Sequence, residues 1–498
     1  MAAALILLGA CKPDGGEEPD NPTPGPTPTP PENLNLIGNW NMEEDIDLTI
    51  DRHDKNLLDD NWKYIGNWDG NGNGGYDPSI KIMQDDKRGV ENSRCAVIVS
   101  PDVSVDCGFY QTVRGLTPGE PYKATARIKT ESVTGGGAHI SLDYLWAPRS
   151  SSIKGSNPWT TVSLEFEPSA DTVVLALRLG NTAADSRGVA YFDNVSLTYN
   201  NDLYQRLSPA EHLKLIIDKK YLSVSDQVID TWLGNLDKVY EAYVDLFSGR
   251  RPHHEKTIKI RSAAIDAWAY AGNPIQWNQN YISDALIKVV KGDWCFGLMH
   301  EMGHDFAPGH FYDEGKDSSS LFYDWIWNEE VFANFRMYYA MCTIDGITII
   351  QDGVLEVDAD GRYVLDANGN RKSTTATYHG REIEKMYKTE SNNCYDLTIH
   401  AGNAVEMGNG ICYVLAYIAD YFGWDIWKQT YDDLYKLKKG FKTFSNDWER
   451  IEFTFSYLDK HIPAGFKETS VWDLFTQHDK DTIKKYYSSV NNTQPINK

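Results

Sequence analysis

From residue 34 to 199 apolar positions alternate with polar ones in short runs, separated by clusters of Gly, Pro, Asn and Asp. The clearest runs are 95–99, 122–128 and 172–179. A period of two without any helical period predicts short strands in an all-β sandwich. Beyond residue 206 the pattern changes. Ser208-Pro209-Ala210-Glu211 has the composition of a capping box with Pro at the first helical position, and predicts a helix carrying Leu213, Ile216 and Ile217. Helical spacing returns over 228–247, residues 257–261 read as strand, and 283–306 read as one helix. A further helix is expected from about Asp324. The turn-forming runs Asp358-Ala359-Asp360-Gly361 and Asp366-Ala367-Asn368-Gly369-Asn370 predict a β-hairpin over 352–371. The expected architecture is an all-β jelly-roll sandwich over 34–200 followed by a mainly α (α+β) domain over 206–498.

A chain of 498 residues exceeds what one hydrophobic core supports, which agrees with that division. The net charge of −23 excludes nucleic acid as a partner, because backbone binding needs a basic face that releases counterions. Seven cysteines, at 11, 95, 107, 295, 342, 394 and 412, include no CxxC pair, so a thiolate metal site is not expected. Cys95 and Cys107 fall where neighbouring strands would allow a bridge, although free thiols are the better reading.

Residues 2–10 are apolar and end Leu8-Gly9-Ala10-Cys11, which resembles a bacterial lipobox. On that reading residues 1–10 are a lipoprotein signal peptide and Cys11 is acylated after cleavage, although no Lys or Arg precedes the apolar run. Residues 11–33 are acidic, then rich in Pro and Thr, and read as an extended tether. The expected location is the bacterial cell surface or outer membrane, held by lipid alone. The apolar run 411–424 is too short to span a bilayer and is broken by Asp420.

The order of features over 34–200 resembles carbohydrate-binding modules of the family 4/9 and 22 type. The matching residues are Asn35-Leu36-Ile37-Gly38-Asn39-Trp40-Asn41-Met42-Glu43, the turn Gly115-Leu116-Thr117-Pro118-Gly119-Glu120-Pro121-Tyr122, Trp159, and Tyr191-Phe192-Asp193-Asn194-Val195-Ser196-Leu197. The resemblance implies a glycan-binding module. It also implies a structural Ca²⁺ held by Glu43 (or Glu44) and Asp193, since hard carboxylate oxygens suit that ion. Trp62, Trp68, Tyr76 and Trp146 are candidate sugar-stacking rings, each more simply explained as packing.

The chemistry concentrates at His300-Glu301-Met302-Gly303-His304. Two histidines at i and i+4 on a helix share a face, so both imidazoles reach one Zn²⁺, and Glu301 is placed as general base. Gly303 costs about 1 kcal/mol in a helix relative to Ala, which suggests close approach of a neighbour. Zinc needs a third protein ligand. His310 has the metzincin spacing, but Ala307 stands where that pattern has Gly. The stronger candidates lie in Trp325-Ile326-Trp327-Asn328-Glu329-Glu330-Val331-Phe332-Ala333-Asn334-Phe335, where Glu329 and Glu330 compete by one register.

The pairing of His300-Glu301-Met302-Gly303-His304 with Glu330-Val331-Phe332-Ala333-Asn334 resembles the enhancin-like, mucin-peptidase branch of gluzincins. The run from Tyr413 to Phe422-Gly423-Trp424 resembles the same family's helix ending in Phe-Gly-Trp. This resemblance favours Glu330 as third ligand. Asn334, one turn on, is a candidate for supporting a ligand, with a cap or surface role as the alternative. It implies a zinc endopeptidase acting on mucin-type, O-glycosylated proteins. The alternative is a non-catalytic glycan-binding surface lipoprotein with a zincin-like fold. His310, Tyr338, Tyr339, His379 and His400 are the candidates for stabilising an oxyanion.

Overall fold

The computed structural model describes residues 34–51, 62–65, 80–142, 148–181, 184–311, 321–356, 358, 363–382 and 407–489. The chain divides into two units between Asn201 and Asp202. Cys11, the tether over 11–33, Trp68, Tyr76, Trp146 and His400 lie outside the described residues.

The first unit is a β-sandwich. Its strands are β1 (Asp47–Asp51), β2 (Lys63–Ile65), β3 (Lys81–Asp85), β4 (Cys95–Val105), β5 (Cys107–Arg114), β6 (Tyr122–Leu142), β7 (Ile153–Phe166), β8 (Thr172–Leu179) and β9 (Ser186–Tyr199). They follow the order β1-β2-β5-β8-β6-β9-β4-β3, with β7 on β6. The long strand β6 makes the fold. Its first half pairs β7 and β9, and its last residues, Ala138 to Leu142, pair β8. Between the two lie Gly135 and Gly137 at positive φ, and a Cβ on Gly135 would sit 1.8 Å from the Asp185 carbonyl oxygen. Only glycine can turn the strand there. Burial alternates strictly over the first half of β6, as the sequence period predicts. The inward residues, among them Phe109, Ile128, Ile140, Leu177 and Phe192, form one apolar core.

Trp62 is fully buried, so it packs rather than stacks on a ligand. Cys95 and Cys107 are both buried and form no disulfide bridge with each other. Asp193 is fully buried; its Oδ2 accepts from the Val90 amide (2.7 Å) and Ser93 Oγ (3.2 Å), and its Oδ1 from the Asn194 amide (2.7 Å). Glu43 accepts from the Arg94 amide at 3.0 Å. These carboxylates pin the loop over 89–94.

The second unit is mixed α/β rather than mainly α. Its sheet contains β10 (Leu203–Leu207), β11 (Leu213–Asp218), β12 (Ile258–Ala263), β13 (Ala269–Tyr270) and β14 (Ile275–Asn278), in the order β10-β11-β12-β14-β13. Residues 202–205, which the sequence reading leaves in a connector, therefore belong to this unit. The helix expected after Ser208 is also corrected. Ser208–Glu211 turns the β10–β11 hairpin, and Leu213, Ile216 and Ile217 lie in β11. Leu213, Leu215, Ile216 and Ile217 are all fully buried, because β11 is a central strand covered on both faces. The amide donors that a capping box would satisfy go elsewhere: Ser208 N–H donates to Leu213 O (2.8 Å), and Glu211 N–H to Ser208 O (2.9 Å).

The helices that matter for the site are α1 (Asp226–Leu246), α2 (Ile282–Val290), α3 (Phe296–Asp305) and α4 (Glu329–Thr343). They are followed by α5 (Met407–Phe422), α6 (Asp425–Tyr435), α7 (Asp447–Leu458) and α8 (Gln477–Tyr487). The single helix predicted over 283–306 is two. Gly292 ends α2 at φ 93°, with its amide on Val289 O and the Asp293 amide on Lys288 O, a glycine C-cap. The α4 helix starts at Glu329 instead of Asp324, where Asn328 Oδ1 caps the Glu330 amide at 3.1 Å. A hairpin is present but wider than the 352–371 predicted: β15 (Thr348–Leu355) pairs with β16 (Ser373–His379). No helix among the described residues is long and apolar enough to cross a membrane.

Candidate metal centre

Helix α3 is held from behind by α1. Buried α1 residues Trp232, Leu236, Val239, Tyr240 and Tyr243 recur at helical spacing, and Tyr243 Oη donates to Met299 O at 2.9 Å. On its other side α3 meets α4. A Cβ on Gly303 would lie 3.0 Å from Ala333 O and 3.4 Å from Ala333 Cα, so the two helices approach to backbone contact there. The glycine is explained by this neighbour. Gly303→Ala is therefore expected to cost on the order of 1 kcal/mol net, overpacking outweighing the better helix propensity of Ala. Thermal denaturation of the variant measures it.

This close crossing places one turn of each helix face to face. His300 and His304 come from α3, Glu330 and Asn334 from α4. His300 Nε2 and His304 Nε2 are 3.1 Å apart; Glu330 Oε2 is 3.1 Å from the former and 3.5 Å from the latter. A tetrahedral zinc with nitrogen bonds of about 2.0–2.1 Å sets its ligand atoms about 3.3 Å apart. The three edges bracket that value, so the residues fit the ion. Asn334 Oδ1 lies 2.8 Å from His300 Nδ1. An amide oxygen only accepts, so Nδ1 carries the proton and Nε2 presents its lone pair to the cluster. Asn334→Ala is expected to weaken zinc binding about 10–100-fold, as read by competition with a chelator.

Glu329, the rival third ligand, sits elsewhere. Its Oε1 is 3.7 Å from His304 Nδ1, and the carboxylate is paired with the buried Arg336 guanidinium. It lies beside His304 as a nearby charge, whereas Asn334 hydrogen-bonds His300 directly. That placement was missed in the sequence, where the adjacent Glu-Glu pair reads as a choice of register. Arg336 was missed too; its Nη1 donates to Gly303 O at 2.9 Å, tying α4 to the last turn of α3.

The electrostatics favour positive charge at the centre. Close contact with the His300 and His304 imidazoles holds the Glu330 carboxyl well below the usual carboxylate range. Burial opposes charge on His304, but Glu329 and Glu330 override it and raise its pKa to about 10. Burial raises the Glu301 carboxyl, with His300 and His304 pulling it back down. A half-buried carboxyl raised in this way is suited to taking and returning a proton. The side chain of Glu330 is 72% exposed while those of His300 and His304 are 14% and 13% exposed, so the centre opens to solvent on the Glu330 side.

The chain matches no protein-family model and no curated protein. Solved structures do resemble it. A CBM4 structure has 20% identity over 33% of this chain and 99% of its own, with a TM-score of 0.22. TmCBM61 in complex with β-1,4-galactotriose has 13% identity over 34% of this chain and 99% of its own, TM-score 0.22. The CBM22-1–GH10 modules of Clostridium thermocellum xylanase 10B have 11% identity over 56% of this chain and 50% of their own, TM-score 0.21. Likenesses at these scores carry no weight for ligand or reaction.

The remaining candidates fall away from the three-donor cluster. His310 belongs to a separate group with His253 and Asp305. Tyr338 Oη donates to Asp420 Oδ2 at 3.1 Å and Tyr339 Oη donates to Asp245, both on neighbouring helices. His379 Nδ1 pairs with Thr348 Oγ1 in the hairpin at 3.1 Å. The Phe-Gly-Trp run closes α5: Gly423 has φ 89°, and Trp424 packs on Phe335 and Tyr339 of α4.

Proposed function

We propose that the second unit is a zinc-dependent endopeptidase of the gluzincin type, with His300, His304 and Glu330 as metal ligands and Glu301 as general base. The observation that supports this best is the set of three donors at zinc-ligand spacing beside a raised carboxyl. Bound there, zinc would polarise the scissile carbonyl and acidify the attacking water. Glu301 accepts the water's proton as the new C–O bond forms, and delivers it to the amine nitrogen as the C–N bond breaks. Asn334 keeps the His300 imidazole in the tautomer and orientation that the ion requires, and the Glu329 carboxylate lies near His304 Nδ1.

The substrate class, mucin-like O-glycosylated protein, rests on the sequence resemblance. So do glycan binding by the first unit, its Glu43–Asp193 calcium and surface anchoring through an acylated Cys11. The test is incubation of the zinc-loaded chain with a mucin-type glycoprotein and with the same protein after enzymatic deglycosylation. The reading expects cleavage of the first and little of the second. Equal cleavage of both overturns the glycan requirement; cleavage of neither, with zinc bound, overturns the peptidase and leaves a glycan-binding lipoprotein.

A further inference from the structure

A second group of metal-ligating side chains lies at the C-terminal end of α3. His253, Asp305 and His310 each offer a ligand atom, and these atoms lie within 4.8 Å of one another. We propose that they form a second divalent-cation site, of the zinc class, at the last turn of the helix that carries the first.

The group is assembled by tertiary structure. Pro252 and Phe311 form an isolated antiparallel bridge, which draws the segment holding His253 against the one holding His310. The two imidazoles stack, with centroids 5.1 Å apart and planes at 28°. Asp305, the last residue of α3, meets His253 with its side chain and His310 with its backbone carbonyl. Its Oδ1 lies 3.0 Å from His253 Nε2 and accepts from the Gly272 amide at 2.8 Å.

Its other oxygen is the unexplained part. Asp305 is fully buried, yet Oδ2 accepts no hydrogen bond among the described residues. A buried carboxylate oxygen without a donor costs on the order of 1–3 kcal/mol, more when charged, unless something else meets its lone pairs. A cation does so directly. The histidines are suited to share it. His310 Nδ1 lies 3.2 Å from Asp305 O, a carbonyl that can only accept, so Nδ1 bears the proton and Nε2 keeps its lone pair. Two imidazoles and one carboxylate are the donor set that first-row ions such as zinc prefer, whereas calcium and magnesium favour all-oxygen shells. With His253 18% exposed at its side chain, an ion has a way in. Because Asp305 follows His304 directly, such an ion would brace the end of α3.

The experiment counts zinc in the full chain after saturation and gel filtration, by elemental analysis. The expected result is two equivalents per chain. His253→Gln and His310→Gln should each retain only one, and the double variant His300→Ala/His304→Ala should retain the other. Cobalt substitution of that double variant should still give visible d–d absorption, which a purely structural His–Asp pair would not. One equivalent in the saturated wild type, lost in the double variant, overturns this site and leaves the proposed catalytic centre standing. One equivalent lost in His253→Gln but kept in the double variant does the reverse. Should the single variants fail to fold, the wild-type count still decides.

Discussion

Glu301→Gln is expected to lower peptide hydrolysis about 10²–10⁴-fold while leaving the bound zinc in place. The amide keeps the volume and polarity of the side chain but cannot take a proton from water. Glu301 is not one of the three donors, which are His300, His304 and Glu330, so its substitution spares the site's affinity. Steady-state kinetics on a glycoprotein substrate, with elemental analysis of the same sample, separates the two effects. Loss of zinc along with activity would mean that Glu301 holds the site together; unchanged activity would mean that the base lies elsewhere.

Arg336→Met is expected to destabilise the second unit by about 3 kcal/mol, through removal of one partner of a buried charge pair. The Arg336 side chain is 0% exposed and that of Glu329 20%. Methionine fills much of the space but leaves Glu329 without its cation and removes the side-chain donor that ties α4 to Gly303 O. In thermal denaturation this corresponds to a fall of roughly 5–10 °C for a domain of this size. Adding Glu329→Gln to Arg336→Met should recover part of the loss, because the stranded charge is then gone. If the double variant is no more stable than the single, packing of the guanidinium over Phe247 and Phe332, and not charge pairing, carries the effect. A chelator competition on Arg336→Met should also show weaker zinc binding, since Glu329 would no longer be fixed beside His304.

The parts of this architecture legible in sequence are those set by local period. Alternation marks the first half of β6, and helical spacing marks α1, in each case because one face meets a core. The His300-Glu301-Met302-Gly303-His304 run is legible for the same reason, since i and i+4 share a face whatever surrounds them. Ser208–Glu211 misleads because a capping signature is local, while the following residues answer to a sheet that buries them on both sides. Gly303 signals a close neighbour but not which one. Ala333 becomes its neighbour only when α3 and α4 cross. The nearness of Glu329 to His304, the bond from Arg336 to Gly303 and the meeting of His253 with Asp305 join residues far apart in the chain, and spacing carries no trace of them.

The central claim is that one zinc ion is held by His300, His304 and Glu330. Anomalous diffraction at the zinc edge from crystals of the zinc-loaded protein tests it most directly. The expected result is a peak within bonding distance of His300 Nε2, His304 Nε2 and a Glu330 carboxylate oxygen, with Asn334 still on His300 Nδ1. Absence of a peak between those three atoms, or a peak ligated by Glu329 in place of Glu330, would contradict it.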